Sequence, residues 1–389
     1  MPETCDKLPL RRNGAGQALL LATLSLLALG VVLVHSAAVS VSEPAVWYAR
    51  REVRHTMFAA FAAAVLLLSW RFDYRLLAPG RAVPLPASAG LVLAIACGLL
   101  VFTPLGKSIG GCRRWVQFGP PQYAIGFQPS ELVKVALVVF LAAWFTRPDA
   151  PPRSARTFGV ALLAVAAALA PVVTEDFGTA AVIALAAGVT MLLAGAPLRY
   201  MLALLIAAAG GFYALVYRVP HRWNRVVAML DPWSSANASA YQPRQSLTGI
   251  LAGGWTGKGP GNGIQKLFLP ERSTDFIFSV FCEEWGFVGA MLLFGLLAVW
   301  IVAARRAAVR SPDRFGRVLA GSLGFLIAAQ AVLHVAVDLV VAPPTGMAFP
   351  FISAGGTALA IMAAAVGLIV SVTAHGAGES DALPPDGTK

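Results

Sequence analysis

Ten stretches of mostly apolar residues, parted by short polar breaks, leave this chain few ways to fold. A helix that crosses a bilayer needs about 20 such residues. The stretches fall at 16–37, 56–71, 86–104, 129–146, 157–173, 177–195, 198–217, 276–303, 317–341 and 353–374. Lipid tails offer backbone N–H and C=O groups no hydrogen bond, so each crossing segment must satisfy its own, as a helix does. Composition agrees: 58% of residues are hydrophobic, 13% are charged and mean hydropathy is +0.71. A soluble chain carries about 25% charged residues. The expected fold is an all-α integral membrane protein with ten transmembrane helices. No internal repeat is evident, which disfavours an inverted-repeat transporter.

Lys and Arg in the short loops set the orientation. With the N-terminus inside, the cytoplasmic face holds Lys7, Arg11, Arg12, Arg71, Arg75, Arg81, Arg147, Arg153, Arg156, Arg199, Arg305, Arg306, Arg310, Arg314 and Arg317. Arg50, Arg51 and Arg54 fall outside and run against the rule. Both termini are then cytoplasmic. Residues 1–15 form an N-terminal segment, 16–374 the membrane domain, and 375–389 a polar tail expected to be disordered. The apolar run from Gln17 to Ala38 exceeds a signal-peptide core of about 7–15 residues, so it reads as a first transmembrane helix. The large extracytoplasmic loop 218–275, between helices 7 and 8, is too long for a bare connector and is expected to be partly ordered.

Net charge is +11 and the pI about 10.0. So apolar a chain does not suit nucleic acid; anionic lipid head groups or a phosphate-bearing substrate fit better. Cys5, Cys97, Cys112 and Cys282 lack metal-ligand spacing and read as small hydrophobes. The five histidines form no HExxH pattern, so the protein alone offers no metal cage.

Charged residues inside spans are costly and therefore candidates for function. Glu131 and Lys134 stand three apart on one helix face, where they pair to fix packing, or where Lys134 meets an anionic substrate. Asp176 reads as a helix cap or a functional acid. At least one of Glu283 and Glu284, two turns into the eighth span, should face the interior and pair with a cation. His334 and Asp338 share a face at i, i+4 and read as packing. The stretch GGWTGKGPGNG at 253–263 fails as a Walker A motif, because Ala252 replaces the first Gly and Gly259 follows Lys258. Its glycines still allow close backbone approach, and Lys258 supplies charge. Asn237, Ala238 and Ser239 fit a glycosylation sequon. Asp275 lies where the outer loop enters the eighth span. It reads as another helix cap, shared with Thr274, or as a general base whose burial beside Phe276 and Phe278 would raise its pKa.

In this order these residues resemble the SEDS family of bacterial cell-wall proteins, the FtsW, RodA and SpoVE group, over about residues 15–374. The likeness is densest in GCRRWVQFGPPQYAIGFQPSELVK at 111–134 and EDFGTA at 175–180. It continues in YQPRQSLTGILAGGWTGKGPGNGIQKLFLPERSTDFIF at 241–278 and PPTGMAFPFISAGG at 343–356. The departures are Thr174 and Glu175 where Gln-Pro is common, Ser273 for the usual His, and Ala354 for the usual Tyr.

The resemblance implies a multi-pass protein of the bacterial plasma membrane. It implies a glycosyltransferase that polymerises lipid II, the undecaprenyl-diphosphate-linked disaccharide-peptide, beside a class B penicillin-binding protein and other divisome or elongasome proteins. By motif match Asp275 takes the catalytic carboxylate position. Arg114, Lys134, Glu131, Asp176, Lys258, Gln242, Ser246, Thr274, Glu284 and Ser353 form the expected substrate-binding set. Arg114, Lys134 and Lys258 are candidates to neutralise a leaving diphosphate. A divalent cation, Mg or Mn, can share that task, although no carboxylate cluster demands one. YQPRQSL and PPTGMAFPFIS resemble the FtsW and SpoVE branch, whereas TGKG and EEWGFVGA resemble RodA. The competing classes are a lipid II flippase, a non-catalytic division scaffold and an O-antigen-type polymerase or ligase.

Overall fold

The computed structural model describes residues 13–38, 47–80, 84–109, 112–119, 125–148, 154–234 and 238–376. Cys5, Asn237 of the sequon and the tail beyond residue 376 lie outside them. Twelve α-helices and one small sheet make up the described chain. All ten expected apolar stretches are helical: α1 (Gly14–Ala38), α2 (Arg51–Ser69), α3 (Leu85–Leu99), α4 (Pro129–Phe145), α5 (Ala155–Val173), α6 (Phe177–Leu193), α7 (Leu198–Phe212), α10 (Ile277–Val309), α11 (Arg314–Asp338) and α12 (Thr357–Gly376). Eight are long and apolar enough to cross a membrane, α3 and α7 by counting the short turns that extend them to Phe102 and Tyr217. The other two are α6, apolar but shorter, and the 17-residue α4, which carries Glu131 and Lys134.

The helix starts follow local chemistry. Asn13 accepts the Gly16 N–H at 2.9 Å, Asp176 the Thr179 N–H at 3.0 Å and Asp313 the Gly316 N–H at 2.7 Å. Each satisfies a backbone donor that its helix cannot. Pro129 stands at the start of α4, where its missing N–H costs nothing. The core lies where α1, α2, α4, α10, α11 and α12 meet, packed with Leu26, Leu66, Phe145, Trp300 and Phe351. α7 buries no residue against the protein.

Two regions between spans are ordered. The segment before α4 forms an antiparallel sheet of β1 (Gly106–Ile109), β2 (Cys112–Phe118) and β3 (Ile125–Phe127), with Val116 opposite Phe127. The long loop contains α8 (Pro220–Leu230) and α9 (Tyr241–Gly253). Arg222 of α8 caps the end of α5, donating to the carbonyls of Val173 at 3.3 Å and Thr174 at 2.5 Å.

The stretch 253–263 fills a break in α10. At Gly286 the helix adopts φ 64°, ψ −165°, which only Gly tolerates readily. The backbone groups released there bond to the loop. Lys258 and Gly259 N–H donate to the carbonyls of Glu283 and Glu284 at 3.0 and 2.9 Å. Phe287 and Val288 N–H donate to Gly254 and Trp255 at 2.9 and 3.1 Å. A Cβ on Gly286 would stand 2.4 Å from the Gly257 nitrogen. Gly286→Ala should therefore destabilise the protein by about 1–3 kcal/mol, read as a lower apparent Tm in detergent.

Candidate active site

Asp275 sits on a tight turn before α10. The N–H groups of Thr274, Asp275 and Phe276 all donate to the Glu271 carbonyl, at 3.2, 3.0 and 3.2 Å. Phe276 anchors the turn in an apolar cluster with Leu269 and Val337. Residues of the 343–356 segment clamp it. Ser353 Oγ donates to the Thr274 carbonyl at 2.6 Å, and Ala354 N–H to the Ser273 carbonyl at 2.8 Å. Arg51, one of the charges that ran against the orientation rule, donates to Ser273 Oγ at 2.9 Å and lies 3.9 Å from Glu271. Thr274 Oγ1 donates to the Glu271 carboxylate at 2.9 Å.

Capping does not account for Asp275. α10 has no side-chain cap from its own flank. Its free Ser279 N–H is taken by Asp338 of α11, at 2.8 Å. Asp275 instead faces Arg114 of β2 across Gly346. A Cβ on Gly346 would lie 3.1 Å from Arg114 Nη1 and 3.4 Å from Asp275 Oδ2. Gly346 has φ +69°, and the space a side chain would occupy there is bordered by both charges, so glycine leaves them room to face each other. Arg114 also pairs with Asp176 at 3.3 Å, and Asp176 holds the start of α6 through the N–H and hydroxyl of Thr179. Asp176 is thus both cap and ion-pair partner. The charge of Glu175 is placed too: its carboxylate accepts the Arg113 N–H at 2.7 Å. Arg225 of α8 reaches the Pro344 carbonyl at 3.3 Å, two residues from Gly346.

The Asp275 carboxyl is pushed up to about 6. Burial is the main cause; Glu271 and Asp176 add to it, while Arg114 and the Thr274 hydroxyl act against it. Such a group is ionised above about pH 6 and binds a proton readily near neutrality, as a general base should.

The other expected residues fall into separate networks. Lys134 is fully buried, and its ammonium donates to Glu131 at 2.8 Å and Gln330 at 2.7 Å. Gln330 in turn donates to the Ala348 carbonyl at 2.9 Å, so this pair supports the 343–356 segment from within the bundle. Lys258 pairs with Glu283 at 2.7 Å, and Glu283 also accepts the N–H groups of Ile264 and Gln265. Glu284 pairs with buried Lys266 at 3.0 Å and accepts from Ser36. Both glutamates therefore hold the loop around the α10 break. Ser246 donates to the Asp338 carbonyl at 2.7 Å, while Gln242 is half-buried on α9. Sequence reasoning assigned no function to Gly346, Glu271, Gln330 or Lys266, and marked Arg51 only as an exception to the charge rule. Among the first four, only Glu271 carried a local signal, four residues before Asp275.

A cavity of about 230 Å³ between α1, α10 and α11 is lined by apolar side chains such as Phe294, Trp300 and Phe351. It contains none of these charges. A small recess bordered by Arg113, Arg114, Glu175 and Asp176 adjoins the Arg114 side of the site, and Asp275 is not among its lining residues.

Fold and site define a helical membrane protein with a proton-binding carboxylate facing a guanidinium at one end of its bundle. A family model described as Cell cycle protein, covering FtsW, RodA and SpoVE, matches residues 17–377, and the chain belongs to that family. A probable peptidoglycan glycosyltransferase FtsW from Saccharophagus degradans is 36% identical over 293 residues, 73% of this chain and 75% of that protein. One from Thioalkalivibrio sp. is 35% identical over 391 residues, 94% and 91% of the two chains. Among solved structures, a chain of a peptidoglycan synthase complex that coordinates polymerization and crosslinking matches with TM-score 0.74 and 27% identity, covering 92% of this chain and 97% of that one. Rod shape determining protein RodA of Thermus thermophilus matches with TM-score 0.64 and 25% identity, covering 93% and 97%.

The cause of the Asp275 shift is testable by infrared titration, with Asp275→Asn subtracted to isolate its carboxyl band. The wild-type midpoint should lie at about 6. Glu271→Gln should lower it and Arg114→Gln raise it. Unmoved midpoints in both variants would leave burial as the sole cause.

Proposed function

We infer that this chain is a peptidoglycan glycosyltransferase of the FtsW-like branch, that it polymerises lipid II, and that Asp275 is its general base. The observation that carries this reading is that Asp275 is relieved of capping by Asp338 and, with Arg114, borders the space that Gly346 leaves open. The sugar end of a lipid-anchored substrate meets the protein at a bundle end, which is where this carboxylate lies. The names of the FtsW relatives point to the same chemistry.

Asp275 takes the proton from the acceptor GlcNAc 4-hydroxyl, and that oxygen attacks C1 of the donor MurNAc. The C1–O bond to the diphosphate-lipid breaks, and its electron pair leaves with the diphosphate. An α-linked donor thus becomes a β-1,4 bond by inversion. A protonating acid is not needed, because diphosphate leaves well once its charge is met. Arg114, held by Asp176, is the cation best placed to meet it. Lys134 and Lys258, already engaged by Glu131, Gln330 and Glu283, keep the walls of the site in place.

The chain is a multi-pass protein. The proposed setting is ten spans in the bacterial inner membrane, both termini cytoplasmic and Asp275 on the outer face. The proposed partner is a class B penicillin-binding protein; the neighbour from a complex that coordinates polymerization and crosslinking supports a crosslinking partner. Residues 218–275 then form the outer loop.

Purified protein, alone and with such a partner, is given lipid II. Asp275→Asn should lose about 10²–10⁴-fold in rate, the usual contribution of a general base. Near-normal glycan strands from that variant would sink the base assignment. Wild-type rate should rise with pH through about 6, because only the ionised carboxylate accepts the proton. Lipid movement across vesicles without polymer would point to a flippase instead.

A further inference from the structure

Two fully buried groups, His334 and Asp338 of α11, take no part in the chemistry above. They stand on one helix face, with His334 Nε2 3.8 Å from Asp338 Oδ2. Each touches a different wall of the site. His334 Nδ1 bonds the Met347 carbonyl at 2.9 Å, one residue from Gly346. Asp338 accepts the Ser279 N–H of α10 at 2.8 Å, four residues from Asp275. His334 also stacks on Phe349, ring centroids 4.8 Å apart. Ser246 of α9 holds the Asp338 carbonyl from a third side at 2.7 Å. A carboxylate is costly to bury, and packing alone would be met by an apolar side chain.

We propose that Asp338 is a positioning residue: by capping α10 from α11, and through its contact with His334, it keeps Asp275 off the helix end and facing Arg114. This rests on the reading of Asp275 as the base. The first turn of a helix leaves N–H groups without partners. Asp275 stands two residues before that turn and is the nearest carboxylate in sequence that could swing onto it. With Asp338 in place the donor at Ser279 is occupied. Without it, the free N–H groups and the positive end of the helix would draw the Asp275 anion. An anion so bonded is a weaker base, and it points away from the acceptor.

The groups that face Asp275 are Glu271 on its own turn, Arg114 from β2, Asp176 from the start of α6, the Thr274 hydroxyl and, through α10, Asp338. Loss of Asp338 frees N–H donors at the start of α10. They favour the ionised form of Asp275, so the acid limb of the rate profile should move to lower pH. The plateau should fall at the same time.

The test compares Asp338→Ala and Asp338→Asn in the purified, partner-bound protein with lipid II, after matching their amounts in the membrane. Asn keeps an oxygen for the Ser279 N–H; Ala does not. Asp338→Ala should lose up to about a hundredfold in kcat, as small misplacements of a reacting group do. Its KM should stay within about twofold, since ground-state contacts are intact, and its acid limb should fall below that of the wild type. Asp338→Asn should keep kcat within a few-fold. Equal kcat for Asp338→Ala and wild type would overturn the proposal, as would equal losses in both variants with an unmoved acid limb. If Asp338→Ala fails to accumulate, Asp338→Asn decides: a hundredfold loss there overturns the proposal, and a near-normal kcat with the wild-type acid limb supports it. Asp275→Asn runs beside them. If it polymerises normally, the base assignment falls and takes this inference with it. If it is inactive, the Asp338 results bear on the inference alone.

Discussion

At Gly286 and again before Ile277, the 33-residue α10 runs out of partners for its own backbone. Neither place can borrow water freely within an apolar bundle, and an unpaired peptide group there costs several kcal/mol. The protein fills both gaps with its own parts. The glycine-rich loop 253–259 supplies donors and acceptors at the break, and Asp338 supplies the acceptor at the start. The long loop is therefore folded onto α10, and the turn that bears Asp275 is fixed as its continuation.

The acidic side chains divide by how they are satisfied. Glu283 has Lys258 and two N–H groups, Glu284 has Lys266 and Ser36, Glu131 has Lys134, and Asp176 has Thr179 and Arg114. These pairings hold elements together. Asp275 differs, since Glu271 and Asp176 crowd it with like charge and burial raises its proton affinity. That is the balance a base requires, and it exists only because the neighbouring carboxylates already have partners.

Much of the fold was legible along the chain. Helical segments fall at all ten expected places because a bilayer demands a long apolar run, and such runs are visible without any tertiary contact. The sheet at 106–127 was not visible, because short strands rich in Arg, Gly and Lys carry no clear two-residue alternation. The break in α10 was hidden for a similar reason: Gly286 looks like any other glycine in an apolar run until a loop is seen packed against it. Arg51 read as an exception to the charge rule, and its contacts with Ser273 and Glu271 explain its place.

The sequence alone determined the membrane class, the helical segments, the family motifs and the choice of Asp275 and Arg114. Those depend on residue type and order, which composition and spacing carry. Only the tertiary structure decided that Asp275 does not cap α10, because a cap is a distance to an N–H group, and here that distance belongs to Asp338, 63 residues further along. It also decided that Lys134 and Lys258 are held in ion pairs while Arg114 reaches the site. Charge is written in the sequence; the partner that meets it is set by packing.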